Sequence, residues 1–168
     1  MHSDLISPET YLDIQGLLFE EAALIDGWKL NDWLGLYTED AGYFVPSTDT
    51  ALAEDANPEN SLFYIADDRR RMEERVLRLE KKTCHSEWPR SKVRHLVSNI
   101  RVLDNTNDVI TVEASFVCYR SKDHVTHTFM GRYDYTLLKC GDELKIKTKY
   151  CRLDMTSLRP HGRISIIL

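Results

Sequence analysis

The chain has 168 residues, 42% of them hydrophobic and 29% charged, with a formal net charge of −5 and a pI near 5.7. That length suffices for a sizeable core, and a single domain over residues 1–168 is expected. The acidic balance argues against a dedicated nucleic-acid binder, which needs a net basic face. No run approaches the ~18 apolar residues of a membrane span, and the opening "MHSDLISPET" lacks the basic front and apolar stretch of a secretory signal, so the expected compartment is the cytoplasm.

The N-terminal third reads as helix. Ser7 is placed to cap it and Pro8 suits its first turn, where no N–H partner exists. Leu17, Leu18, Glu21, Ala22, Leu24 and Ile25 share a mostly apolar face, and Gly27 ends or bends the helix. A second short helix, "KLNDWLGLY", sets Leu30, Trp33, Leu34 and Tyr37 on one side. "AGYFVP" is a short strand that Pro46 closes. From Ser47 to Asn60 the chain is polar and is expected to be a loop.

The stretch "DDRRRMEERVLRL" from Asp67 is the most charged of the chain. Read as a helix to Lys82, it sets opposite charges four residues apart at Asp67–Arg71, Arg69–Glu73, Arg70–Glu74 and Glu74–Arg78. Met72, Val76 and Leu79 form an apolar stripe. The interleaved acids argue against nucleic acid. What stays open is an amphipathic helix with a solvated outer face or a protein interface using arginine.

"HSEWPRS" is a loop around Pro89, and from Val93 the pattern changes to strands. "VRHLVSNIRVL" and "VITVEASFVCY" flank the turn "DNTND". Ile110, Val112, Ala114, Phe116 and Cys118 alternate onto one face. In "HTFMGRYDYTLLK" the same face takes Phe129, Gly131, Tyr133, Tyr135 and Leu137, with Gly131 marking a bend or bulge. After the turn "CGDE", "LKIKTKY" alternates Leu144, Ile146 and Tyr150 against Lys145, Lys147 and Lys149. The fold class is α+β: an antiparallel meander curved over N-terminal helices.

Metal chemistry finds little support. Cys84, Cys118, Cys140 and Cys151 form no C-x-x-C pair and are expected to be reduced, partly buried thiols. Cys84 and His85 are adjacent, too close for the Cys-x-His pair of a Rieske centre. His124 and His127 would point to opposite faces of a strand, and His95 and His161 lack converging partners. There is no G-x-S-x-G and no phosphate-binding glycine loop.

"FEEAALIDGWKLNDWLGLYTEDAGYFVP", "ADDRRRMEERVLRL", "PRSKVRHLVSNIRV", "VITVEASFVCYRS" and "CRLDMTSLRPHGRISIIL", in this order, resemble the small (beta) subunit of aromatic-ring-hydroxylating dioxygenases, the Rieske non-haem iron oxygenases. The resemblance runs over nearly the whole chain and is weakest from Ala51 to Asn60. It implies a cystatin-like, or NTF2-like, cone. It implies a non-catalytic subunit with no catalytic, cofactor-binding or metal-binding residue of its own. The Rieske 2Fe-2S cluster and the mononuclear iron would lie in a large alpha subunit, over a trimer of this chain in an α3β3 hexamer. A ferredoxin and reductase would be linked only indirectly. The charged helix would then be scaffold.

The same cone serves small proton-transfer enzymes, isomerases and dehydratases, in which an Asp, Tyr or His lines the interior. Tyr11, Asp40, Tyr43, His95 and Asp134 could supply such groups here, with a buried Asp as general base. A free-standing assembly domain is a third reading. Finally, Ile164, Ile166, Ile167 and Leu168 in "RISIIL" would each contribute about 1.5–3 kcal/mol if buried. They are expected either as an edge strand on their own domain or as a contact across a subunit boundary, in which case deleting residues after Arg163 weakens assembly.

Overall fold

The structure, a computed structural model, describes residues 6–48, 62–158 and 163–168. Most of the expected loop after Ser47, and His161, lie outside the described residues. Helix α1 (Pro8–Asp26) starts where the Ser7 hydroxyl accepts the Thr10 N–H at 3.1 Å and ends at Gly27. Helix α2 (Leu30–Gly35) buries Leu30, Trp33 and Leu34. Strand β1 (Tyr37–Pro46) is longer than expected and begins at Tyr37, which the sequence pattern assigned to the preceding helix.

Strand β2 (Phe63–Asp68) was not legible in the sequence. It takes the first two residues of the charged stretch, so helix α3 runs only from Arg69 to Glu80. Asp68 becomes its cap, accepting the Arg71 N–H at 2.9 Å. Asp67 therefore cannot pair with Arg71 along a helix. It meets Arg75 instead, at 2.6 Å in a largely buried contact. Arg69–Glu73 and Arg70–Glu74 form as expected, at 2.9 and 3.7 Å. Arg69 also donates to the Leu34 and Tyr37 carbonyls at 3.0 and 3.2 Å. Met72, Val76 and Leu79 are buried. The charged helix is thus clamped to α2, β1 and β2 by the same residues that made it look like a binding element.

Strands β3 (Lys92–Thr106), β4 (Val109–Lys122), β5 (Val125–Cys140) and β6 (Glu143–Leu153) form the expected meander. Two-residue turns with both residues at positive φ, Asn107–Asp108 and Asp123–His124, close the first two hairpins. His124 thus lies in a turn, not on a strand. The full order among the described residues is β2-β1-β6-β5-β4-β3. Because β1 lies parallel to β6, the sheet is mixed rather than purely antiparallel. The parallel step lets β1, which follows the helices, close over them beside the last strand.

Two further expectations, a bulge at Gly131 and an unbroken alternation in β6, are corrected for local reasons. Gly131 sits in unbroken register with both neighbours, so it marks no bulge. A Cβ there would lie 2.0 Å from the Arg152 carbonyl, so close strand approach is what demands glycine. The bulge falls in β6: Thr136 pairs with Thr148 while Leu137 pairs with Ile146, leaving Lys147 as the extra residue. Beyond it the faces exchange. Lys149, Cys151 and Leu153 point inward, and Tyr150 points outward, stacked on Phe44.

Candidate functional site

The inward faces of α1, α2 and the sheet meet at Glu21. Three apolar neighbours on α1 aim this carboxylate into the core, and four donors surround it. Trp33 Nε1, the Tyr37 hydroxyl and Lys149 Nζ reach Oε1 at 3.1, 2.6 and 3.1 Å, and the Tyr135 hydroxyl reaches Oε2 at 2.6 Å. Glu21 and Lys149 are each 1% exposed. Burial pushes the Glu21 carboxyl up, but the Lys149 charge and the hydrogen bonds from Tyr135, Tyr37 and Trp33 outweigh it and hold it below its ordinary value. Burial and the Glu21 charge raise the Tyr37 and Tyr135 hydroxyls well above theirs. Burial also pushes the Cys151 thiol up to about 12. These groups are locked in one protonation state near neutrality, as a structural network requires and a proton shuttle does not.

Lys149 makes two more contacts. Its ammonium lies 4.1 Å from the centre of the Tyr133 ring and donates to the Leu168 carbonyl at 2.7 Å. Residues Ile166–Leu168 occupy the remaining interior and are buried by their own chain, without forming the edge strand considered above. The space left beside them is a cavity of about 10 Å³, at the lower limit for one water.

The five residues proposed for proton transfer do not converge. Asp40 is exposed and pairs with Lys147 at 3.2 Å; its hydrogen bond from Thr38 and the Lys147 contact lower its pKa, the wrong direction for a general base. Asp134 lies on the outer face between Arg132 and Arg152, at 2.9 and 2.5 Å. The Tyr11 hydroxyl donates to the Ile100 carbonyl at 3.1 Å. Tyr43 is buried and accepts the Leu168 N–H at 3.0 Å. His95 alone has a suggestive partner: its Nδ1 lies 2.6 Å from Asp26, whose carboxylate also accepts the His95 N–H at 3.0 Å. Its Nε2 is sealed in the core without a partner among the described residues, as is the Tyr133 hydroxyl. An oriented imidazole is present, but its side chain is buried away from solvent.

Among the described residues no three His, Cys, Asp or Glu side chains converge as a metal site would require. Cys118 and Cys151 are buried, Cys84 is partly buried, Cys140 is exposed, and all four are free thiols. Among the described residues no helix is long and apolar enough to cross a membrane.

The family model described as the ring hydroxylating beta subunit matches residues 20–159. This chain is a beta subunit of the aromatic-ring-hydroxylating dioxygenases. It is 52% identical over 159 residues to the small oxygenase component of the p-cumate 2,3-dioxygenase system of Pseudomonas putida, covering 95% of this chain and 87% of that one. A solved naphthalene 1,2-dioxygenase with indole in its active site superposes with a TM-score of 0.84 at 13% identity, over 98% of this chain and 89% of that one. An NTF2-like protein with a cystatin-like fold from Novosphingobium aromaticivorans superposes with a TM-score of 0.64 at 13% identity, over 92% and 88%. These two likenesses show the fold, an NTF2-like cone, as the resemblance implied.

The beta subunit is the non-catalytic part of the dioxygenase system, and the stand-alone enzyme reading is disfavoured. In the small subunit the interior of the cone holds a buried ion pair and a segment of the chain itself. Sequence reasoning missed Lys149 and Asp26 as parts of this interior, and it expected Leu168 on an edge strand or at a subunit boundary. Glu21 gave a usable signal: a carboxylate within an apolar helical face must find a buried partner or leave the core. Lys149 gave none, because the bulge moved it to the inner face.

Proposed function

We propose that this small subunit is the structural half of a cytoplasmic oxygenase acting on p-cumate or a close analogue. The observation that carries the reading is the 52% identity, over 95% of the chain, to the p-cumate dioxygenase small component. The large alpha subunit holds the Rieske 2Fe-2S cluster and the mononuclear iron, and receives electrons from a ferredoxin and reductase. Three copies of this chain, each a single NTF2-like domain, support three alpha subunits. No residue of this chain is catalytic, binds a cofactor or binds metal. A core in which Glu21 is satisfied by four donors suits a rigid platform.

The test is native mass spectrometry of the tagged chain purified gently from its host, with iron quantified on the same sample. The expected result is an equimolar complex of three copies with three of a larger, iron-bearing partner. An iron-free homo-oligomer without a larger partner overturns it. Turnover of p-cumate by the purified complex then tests the substrate.

A further inference from the structure

Ile166, Ile167 and Leu168 are buried, yet they belong to no helix or strand. Side chains hold their main chain, not a neighbouring strand. The Leu168 N–H donates to the Tyr43 hydroxyl at 3.0 Å. The Leu168 carbonyl accepts from Lys149 Nζ at 2.7 Å and from the Cys151 thiol at 3.6 Å. Just before them, the Ser165 hydroxyl donates to Glu87 Oε1 at 2.5 Å. Ile166 and Ile167 fit among Ile25, Trp28, Leu30, Leu79 and Val93, leaving only a cavity of about 10 Å³. An acceptor, a donor and an apolar socket, placed for one residue's N–H, carbonyl and branched neighbours, have the anatomy of a peptide-binding site.

We propose that the interior of the cone is a binding site for a branched aliphatic peptide segment, which the chain's own Ser165–Leu168 fills as an internal ligand and can vacate. The site is built without its occupant. Lys149 is held by Glu21 at 3.1 Å and by the Tyr133 ring, and Tyr43 packs edge-on against Trp33. Departure of the segment breaks no bond between strands, so it opens locally while the sheet stays intact. The ligand class follows from the contacts: an amide N–H for Tyr43, a carbonyl for Lys149, and branched aliphatic side chains for the socket.

The experiment uses the oxygenase complex carrying a small subunit stopped after Ile164, with the peptide acetyl-Ser-Ile-Ile-Leu as probe. Calorimetry is expected to show saturable binding of one peptide per small subunit and none to the full-length complex. Tyr43→Phe in the shortened chain is expected to weaken binding severalfold by removing one hydrogen bond. A shortened, assembled chain that binds no peptide overturns the proposal, as does binding indifferent to Tyr43→Phe. Hydrogen exchange in the intact complex gives a readout that survives if the shortened chain does not assemble. The Leu168 amide is expected to exchange at least tenfold faster than the Tyr133 amide at the centre of β5. Exchange of both only through global unfolding overturns the proposal.

Discussion

Glu21 and Lys149 are the residues on which the interior depends. Removing one partner of a buried, hydrogen-bonded ion pair costs about 3–5 kcal/mol, because the other charge stays behind unpaired. Glu21→Gln is therefore expected to lower stability by about that much in urea denaturation, and Lys149→Met similarly. The double variant should lose clearly less than the sum, since neither charge is then stranded. The pH dependence has a defined sign at each end. The Glu21 carboxyl lies below its ordinary value in the fold. Its stabilisation is thus present above the unfolded carboxylate range and is lost as pH falls through the lower folded value. Tyr37 and Tyr135 are raised. Their contribution is complete below the unfolded tyrosine value and declines as pH rises beyond it toward the folded one. Thermal unfolding across pH should show both losses in the native chain and a weaker acid loss in Glu21→Gln. Residues outside this network should matter little to chemistry. Asp40→Asn and Asp134→Asn are expected to leave turnover of the assembled oxygenase within about twofold, because their partners are lysine and arginine side chains of the outer face, not reacting atoms. A tenfold loss would make this subunit a participant.

At the scale of elements, the sequence was informative wherever one period held over a whole segment. Ile110 to Cys118 and Phe129 to Leu137 alternate without interruption, and every one of those inward positions is buried. The period fails in β6 because a bulge changes the face but leaves no mark in composition; Lys145, Lys147 and Lys149 read alike, yet only Lys149 faces the core. The same geometry predicts opposite results for two deletions. Removing Lys147 leaves Ile146 and Lys149 two apart on one face, so the chain should stay soluble and folded, with a straighter strand. Removing Tyr150 turns Cys151 and Leu153 outward and should yield no soluble, cooperatively unfolding protein. Strand β2 was illegible for another reason: its end, Asp67–Asp68, carries charges that look like a helix start. Asp68 is one, as a cap. Asp68→Ala is expected to cost about 1 kcal/mol by thermal denaturation, and Arg70→Ala under about 0.5 kcal/mol, since the Arg70–Glu74 pair is exposed.

At the scale of the molecule, legibility separates inside from outside. The cone and its role as a subunit were readable because they reside in the order of many segments. The filled interior was not, because it joins residues as distant as Glu21, Lys149 and Leu168. Burial of Ile166–Leu168 within the chain also changes what a truncation means: deletions there empty part of the interior, so any effect on assembly is indirect. Surface substitutions test assembly more cleanly. On the outer face, Leu96 pairs with Val117 and Val117 with Met130, while Tyr119 lies between Arg94 and Thr128. Leu96, Tyr119 and Met130 are all exposed in the isolated chain. A contiguous apolar row of this kind, rimmed by polar groups, marks an interaction surface more often than chance. It is the natural place for a subunit that works by assembling to meet its neighbours. Leu96→Asp combined with Met130→Asp should therefore leave the thermal midpoint of the isolated chain nearly unchanged, as both side chains already meet water. In sedimentation of the complex the same variant should shift material from the large assembly to free subunits. If the complex instead forms at wild-type strength, the subunits meet elsewhere, and the arginine-rich face of α3 is the next surface to substitute.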